Sequence, residues 1–128
     1  MYPIFVYGTL KRGHSRAHFL QGQSLVGLAS SDPDYRLFQV AEYPGLVEVI
    51  RGTGMSVVGE VWLVSLDCLQ RLDEEEGLSF GEYERRTIRI CRDSLVPAEE
   101  ITVDFDSIEA YFYLRPITDC HDCGPCWT

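Results

Sequence analysis

The sequence is short of positive charge, of paired cysteines and of long apolar runs, and each shortage excludes something. Eleven Lys and Arg stand against 20 Asp and Glu, a formal net charge of −9. Nucleic acid is therefore not an expected partner, because its phosphates are repelled by such a surface. No apolar run approaches the roughly 20 residues that a bilayer-spanning helix needs. The opening MYPIFVYGTL lacks the basic leader of a signal peptide, so no membrane association and a cytoplasmic setting are expected. Five cysteines, an odd number, argue against a disulfide framework and fit the same reducing compartment. Internal repeats, low-complexity tracts and linkers are also missing, and 128 residues suffice to bury a single core.

What is there is mostly strand. The stretches PIFVYG, SLVGLASS, DYRLFQV, EYPGLVEVI and VVGEVWLV are apolar and rich in β-branched and aromatic residues, broken by turn signals such as Asp32-Pro33-Asp34 and the GTG of residues 52–54. YERRTIRICRD alternates, with Ile88 and Ile90 on one face and Arg89 on the other, and SIEAYFYLR reads as the last strand. A short helix is expected in GHSRAHFLQGQ, ending at Gly22. The main helix is expected in SLDCLQRLDEEEG, with Ser65 as N-cap and Gly77 as stop. One main helix among six or seven strands predicts an α+β fold whose sheet curls into a small barrel.

That main helix places an acid in an awkward position. At about 100° per residue, with Leu69 at zero, Leu66 falls near about +60°, Leu72 near about −60° and Glu76 near about −20°. Glu76 thus lies in the middle of the apolar stripe, whereas Glu74 and Glu75 point to solvent. Asp73, at about +40°, also leans toward the buried face. A buried carboxylate is costly unless paired, hydrogen-bonded or protonated, and burial raises its pKa into the range useful to a general acid or base. On periodicity, Glu76 and its rival Asp73 are both candidates, and fraying of the helix before Gly77 would leave Glu76 in water.

The opening FVYGTLKRG raises a second possibility. A glycine after a strand frees the backbone to turn, so that successive N–H groups can converge on one point as a nest for an anion or a developing oxyanion. An ordinary strand-ending turn is the other reading of the same residues. Tyr7 and Thr9 add hydroxyls. Lys11, Arg12 and Arg16 form a basic spot that suits either a small anion or a solvated turn. A buried carboxyl facing such a nest is equipment for acyl transfer or cyclisation.

FVYGTLKRG, EYPGLV, GEVWLV, LDEEEG, YERR and the late AYFY, in this order and spacing from Phe5 to about Arg115, resemble the gamma-glutamylcyclotransferase-like family, most closely the gamma-glutamylamine cyclotransferases. The resemblance implies a small mixed β-barrel with one main helix and short helices packed outside, a cavity at one mouth, a small-molecule gamma-glutamyl substrate and no cofactor. It implies that Tyr7, Gly8, Thr9 and Leu10 hold the glutamyl head, and that the Leu-Asp-x-x-Glu pattern makes Glu76 the acid/base, setting Asp73 aside. It also implies that Tyr113 lines the cavity, with Tyr83 either beside it or in the core, and Tyr43-Pro44 at the rim. The implied reaction is attack of the substrate's α-amine on its own γ-carbonyl, releasing 5-oxoproline and an amine. A non-catalytic module binding gamma-glutamyl ligands is the alternative.

The domain is expected over residues 1–116, with residues 117–128 a flexible Cys-rich tail outside the family pattern. Its CHDCGPCWT contains the tetrad Cys123-Gly124-Pro125-Cys126, which copies a thioredoxin-like redox motif. That motif works at a helix N-terminus, and with only Trp127 and Thr128 after it no helix is expected. Cys120, His121, Cys123 and Cys126 are too crowded for tetrahedral zinc. His14 and His18, at i and i+4 on the short helix, lack a third ligand, so no metal is expected.

Overall fold

The computed structural model describes residues 1–51, 53–98 and 101–127. The apolar runs become β1 (Tyr2–Val6), β2 (Ser24–Ser30), β3 (Tyr35–Gln39), β4 (Pro44–Glu48) and β5 (Val58–Val64), followed by helix α1 (Leu66–Glu75). After the helix come β6 (Tyr83–Thr87), β7 (Val96–Pro97), β8 (Glu109–Tyr113) and β9 (His121–Gly124). The nine strands form one mixed sheet in the order β7-β2-β5-β1-β8-β4-β3-β9, with β6 paired to β8 off that path. The α+β class is as expected. No described helix is long and apolar enough to cross a membrane.

The period-two alternation divides the core in two. Phe5, Val61, Ala110 and Phe112 face one way and pack with Val26, Leu37 and Leu46 inside the curl of the sheet. Their neighbours Ile4, Val6, Trp62, Val64 and Tyr111 face the other way and pack with Cys68, Leu69 and Leu72 of α1. Ser65 caps the helix as expected, its hydroxyl accepting from the Cys68 N–H at 3.2 Å, and Gly77 ends it with a φ of 70°. Leu66, expected on the apolar stripe, is 53% exposed and belongs to neither core cluster.

The sheet curls without closing into a barrel. At one end of its path β7 is two residues long, Val96–Pro97, and proline has no N–H with which to extend a ladder. The other end bends back far enough for the Val58 N–H of β5 to reach the Pro125 carbonyl at 2.8 Å. The tail expected to be flexible thus carries β9, which pairs antiparallel with β3 and adds an ion pair from Arg36 to Asp122 at 2.8 Å. The short helix expected at residues 13–23 is only one 3-10 turn, Ala17–Leu20, so the helical i, i+4 spacing of His14 and His18 does not exist. The loop expected at residues 52–54 falls partly outside the described residues, at Gly52, as does Thr128 of the tail.

One detail of pairing makes room for a site. β6 runs along β8 from Tyr83↔Tyr113 to Thr87↔Glu109. β1 and β4 therefore share the opposite edge of β8, β1 at Ile4↔Glu109 and β4 at Leu46↔Phe112, both parallel to it. Where β1 stops and β4 takes over, a crevice opens at the carboxyl end of a parallel strand, the place where open sheets usually bind ligands.

Helix α1 is held to this sheet chiefly by apolar burial. Leu72 is 0% exposed, so Leu72→Ala is expected to lower the unfolding free energy by about 2–5 kcal/mol, with an unchanged dependence on urea. A loss well under 1 kcal/mol, read from the urea midpoint, would contradict this packing.

Candidate active site

The chain leaves β1 at Val6 and turns sharply. Gly8 passes so close to Pro44, at the start of β4, that a Cβ there would lie 2.6 Å from the proline Cγ. Only glycine fits that approach without moving the loop. Tyr7 is anchored beside it, its hydroxyl donating to the Tyr111 carbonyl at 2.6 Å. Among the described residues, none accepts a hydrogen bond from the N–H of Gly8, Thr9 or Leu10, although all three residues are buried. Buried amide donors without partners are rare and mark a place built to receive an acceptor.

Each cation of the opening motif has its own task in fixing this loop. The Arg12 backbone N–H and Nε donate to the two oxygens of buried Glu60 in β5, at 3.1 and 3.0 Å, and Trp62 Nε1 donates to the same carboxylate at 3.2 Å. Lys11, 9% exposed, extends its ammonium to the Trp127 carbonyl at 2.7 Å. Arg16 alone turns into the crevice. Its backbone N–H donates to the Thr9 carbonyl at 2.8 Å and its Nε to the Thr9 hydroxyl at 2.7 Å.

Glu76 comes to the same place from the helix. It is the C-cap residue of α1 with helical dihedrals, and its N–H still donates to the Leu72 carbonyl at 2.9 Å, so the helix does not fray before it. The residue is 8% exposed, as its angular position requires, while Glu74 and Glu75 are exposed. Burial pushes the Glu76 carboxyl from the ordinary 4.5 up to about 7, with Arg16 opposing the shift. The Arg16 Nη2 stands 3.7 Å from Glu76 Oε1, while its Nη1 donates to Glu75 at 3.3 Å. Glu76 and burial together hold the Tyr7 phenol well above its ordinary range, burial contributing most.

Tyr7, Gly8, Thr9, Leu10, Arg16 and Glu76 line one small recess of about 20 Å³, room for roughly one water molecule. The recess opens onto a wider cavity of about 340 Å³, reached past Thr9, Arg16 and Glu76 and walled by Tyr43, Glu82 and Tyr83, a size suited to a small molecule. The Tyr43 hydroxyl donates to Glu82 at 2.6 Å, which, as the largest cause, pushes its pKa up to about 12. Tyr83 donates to the Pro44 carbonyl at 2.8 Å and so braces the strand against which Gly8 turns. Chemically the arrangement offers a proton acceptor at neutral pH, free amide donors and one guanidinium.

Four of the sequence-selected substrate contacts, Tyr7, Gly8, Thr9 and Leu10, are thus brought together with Glu76. Tyr113 is not brought to the recess or the wider cavity: it stands behind Tyr83, their rings edge-on at 5.3 Å. Asp73 faces elsewhere, bound to Arg85 and accepting from the Tyr111 hydroxyl at 2.8 Å. Arg16 is the residue whose place in the recess the sequence signalled only faintly, as one of three nearby cations. Among the described residues no group of three His, Cys, Asp or Glu side chains is arranged to hold a metal ion.

The chain has relatives among known proteins. A provisionally assigned gamma-glutamylcyclotransferase of Vibrio cholerae is 44% identical over 85 residues, 66% of this chain and 70% of its own length. Gamma-glutamylaminecyclotransferase A of Danio rerio is 33% identical over 94 residues, 68% of this chain and 57% of its own. The solution structure of YtfP from Escherichia coli superposes with a TM-score of 0.66 at 29% identity, covering 98% of this chain and 94% of YtfP. The model of the family described as gamma-glutamyl cyclotransferase, AIG2-like, matches residues 4–125, which brings most of the tail inside a pattern expected to exclude it. On that match, and on a fold shared almost end to end with YtfP, the chain belongs to the gamma-glutamyl cyclotransferase, AIG2-like family.

Proposed function

We propose that this chain is a cyclotransferase acting on gamma-glutamyl amines or peptides, with Glu76 as the general acid/base. The observation that carries the reading is the placement of Glu76, a buried carboxyl with a pKa near 7, in one recess with the unpartnered amide donors of the Gly8–Leu10 loop. In the ionised form Glu76 takes a proton from the substrate's α-amine, and the nitrogen attacks the γ-carbonyl of the same molecule. The oxyanion that forms is received by the backbone N–H groups of Gly8, Thr9 and Leu10. Glu76 then gives its proton to the departing nitrogen, and the products are 5-oxoproline and a free amine. Arg16 pairs with the substrate's α-carboxylate and fixes which way the glutamyl head lies. Because nucleophile and carbonyl belong to one molecule, the protein's work is to hold a folded conformer and move a proton. The Danio rerio relative's name specifies gamma-glutamylamine as substrate, and a cavity open beyond Tyr43 and Glu82 leaves space for an amine leaving group of that kind.

With a gamma-glutamyl amine as substrate, kcat/KM is expected to rise with pH through about 7, the ionisation of Glu76. Glu76→Gln keeps the shape but cannot exchange a proton, so 5-oxoproline release should fall by about 10²–10⁴. Chromatographic assay of 5-oxoproline decides it: a variant within a few-fold of the parent sinks the acid/base role. Saturable binding without turnover by the parent would favour a binding module instead.

The raised pKa also fixes a stability prediction, whose sign follows from the direction of the shift. Between the ordinary 4.5 and about 7 the folded chain keeps the Glu76 proton that the unfolded chain has released. Stability therefore falls as pH rises through this window and is level above it. Glu76→Gln has no such proton, so at about pH 8 it is expected to be more stable than the parent by roughly 2–3 kcal/mol, with the gain vanishing near about pH 4. Urea titrations at the two pH values measure it, and a variant less stable than the parent at both would contradict the burial of an ionised Glu76.

A further inference from the structure

The Cys-Gly-Pro-Cys tetrad takes no part in the site above, and among the described residues no helix of the kind that usually serves such a motif follows it, Cys126 and Trp127 continuing in irregular backbone. A cation comes to it from elsewhere in the chain. The Lys11 Nζ lies 3.7 Å from Cys126 Sγ while donating to the Trp127 carbonyl. Lys11 is nine-tenths buried, and among the described residues no carboxylate pairs with it, an unusual state for a lysine. Cys126 is held on both sides, since the Pro125 carbonyl before it accepts from Val58 at 2.8 Å. The backbone turns at Gly124, with a φ of 70°, so that Cys123 and Cys126 line the same cavity of about 300 Å³, together with His121 and Trp127. Both cysteines are half-buried and free.

We propose that Cys126 and Cys123 form a thiol–disulfide exchange site, served by the Lys11 ammonium, that takes small disulfides of the glutathione class. The Cys126 thiolate attacks one sulfur of the disulfide RS–SR. The S–S bond breaks, one RS⁻ leaves and takes up a proton, and Cys126 is left in a mixed disulfide with R. The Cys123 thiolate then attacks Cys126 Sγ, expelling the second RS⁻, which is also protonated. Two protein thiols are oxidised to one disulfide, and RS–SR is reduced to two RSH. The order follows from the surroundings. Negative charge on Cys126 lies beside an ammonium, whereas burial and then the Asp122 carboxylate push the Cys123 thiol up, which makes Cys123 the resolving partner. Cys68, Cys91 and Cys120 do not line this cavity and serve as internal references.

The test is to expose the full, reduced chain to glutathione disulfide, quench with acid and map the adducts by mass spectrometry. The expected product is a Cys123–Cys126 link, formed faster than any adduct at Cys91 or Cys120. In Cys123→Ser a stable mixed disulfide should collect on Cys126. At neutral pH Lys11→Met should slow the reaction at Cys126 by about two- to threefold, because a unit charge about 4 Å away in water changes the thiolate fraction by about fivefold and the greater nucleophilicity of the more basic thiolate offsets about half of that on a logarithmic scale. Lys11→Arg, which keeps the charge, should react at about the parent rate. A first adduct on Cys123, Cys91 or Cys120, the absence of the link, or equal rates in Lys11→Met and the parent would each overturn the proposal. Equal slowing in Lys11→Met and Lys11→Arg would overturn it as well, since the contact would then be only structural.

Discussion

A carboxyl group removed from water and answered by a single guanidinium 3.7 Å away is a costly thing for a small domain to keep. Glu76 is kept in this condition by the geometry of its helix. The stripe that must be apolar to bury Leu69 and Leu72 passes through position 76, and the chain has placed an acid there, one residue before the glycine stop. Fraying the helix would relieve the desolvation of Glu76, but the Glu76 N–H bond to Leu72 and the left-handed turn at Gly77 hold the last turn closed. The same desolvation that penalises the charged form is what brings the proton affinity near neutrality. Stability and proton affinity are linked here through one side chain.

The partner of this carboxyl arises from strand pairing. An edge of β8 that is shared in succession by β1 and β4 leaves a segment of β1's continuation with nothing to pair with. A loop full of free amide donors would normally recruit water or collapse. This one is fixed at three points by its own basic residues: Arg12 on Glu60, Lys11 on the Trp127 carbonyl and Arg16 on Thr9. Preorganised donors of this sort need no rearrangement when charge develops in front of them. The basic turn that follows the first strand is therefore a set of fasteners, of which only Arg16 also faces the cavity.

Legibility in the sequence followed the range of the interactions. Glu76 could be found because helical periodicity is local: ten residues of α1 are enough to fix which way it points. The Gly8 turn was visible for the same reason. The crevice itself was not, since it depends on β1, β4 and β8, which lie up to about a hundred residues apart in the chain and carry no mark of which edge each will share. Tyr111 and Tyr113 show the limit well. Neighbours on one strand, two residues apart, both point to the helical side of the sheet, yet only Tyr111 reaches the recess, through a register fixed by β6. The strands β7 and β9 escaped notice because a Val-Pro pair and a polar HDCG have no apolar pattern; they pair because the curl of the sheet brings β2 and β3 to them.

The proposed chemistry of the recess turns on the state of one proton. A carbon-detected NMR titration of the Glu76 side-chain carboxyl, assigned by its disappearance in Glu76→Gln, reads that proton directly in the free protein. A midpoint of about 7 is the expected result. A midpoint at the ordinary 4.5 would mean that the carboxyl is solvated, and neither the recess nor the chemistry assigned to it would survive.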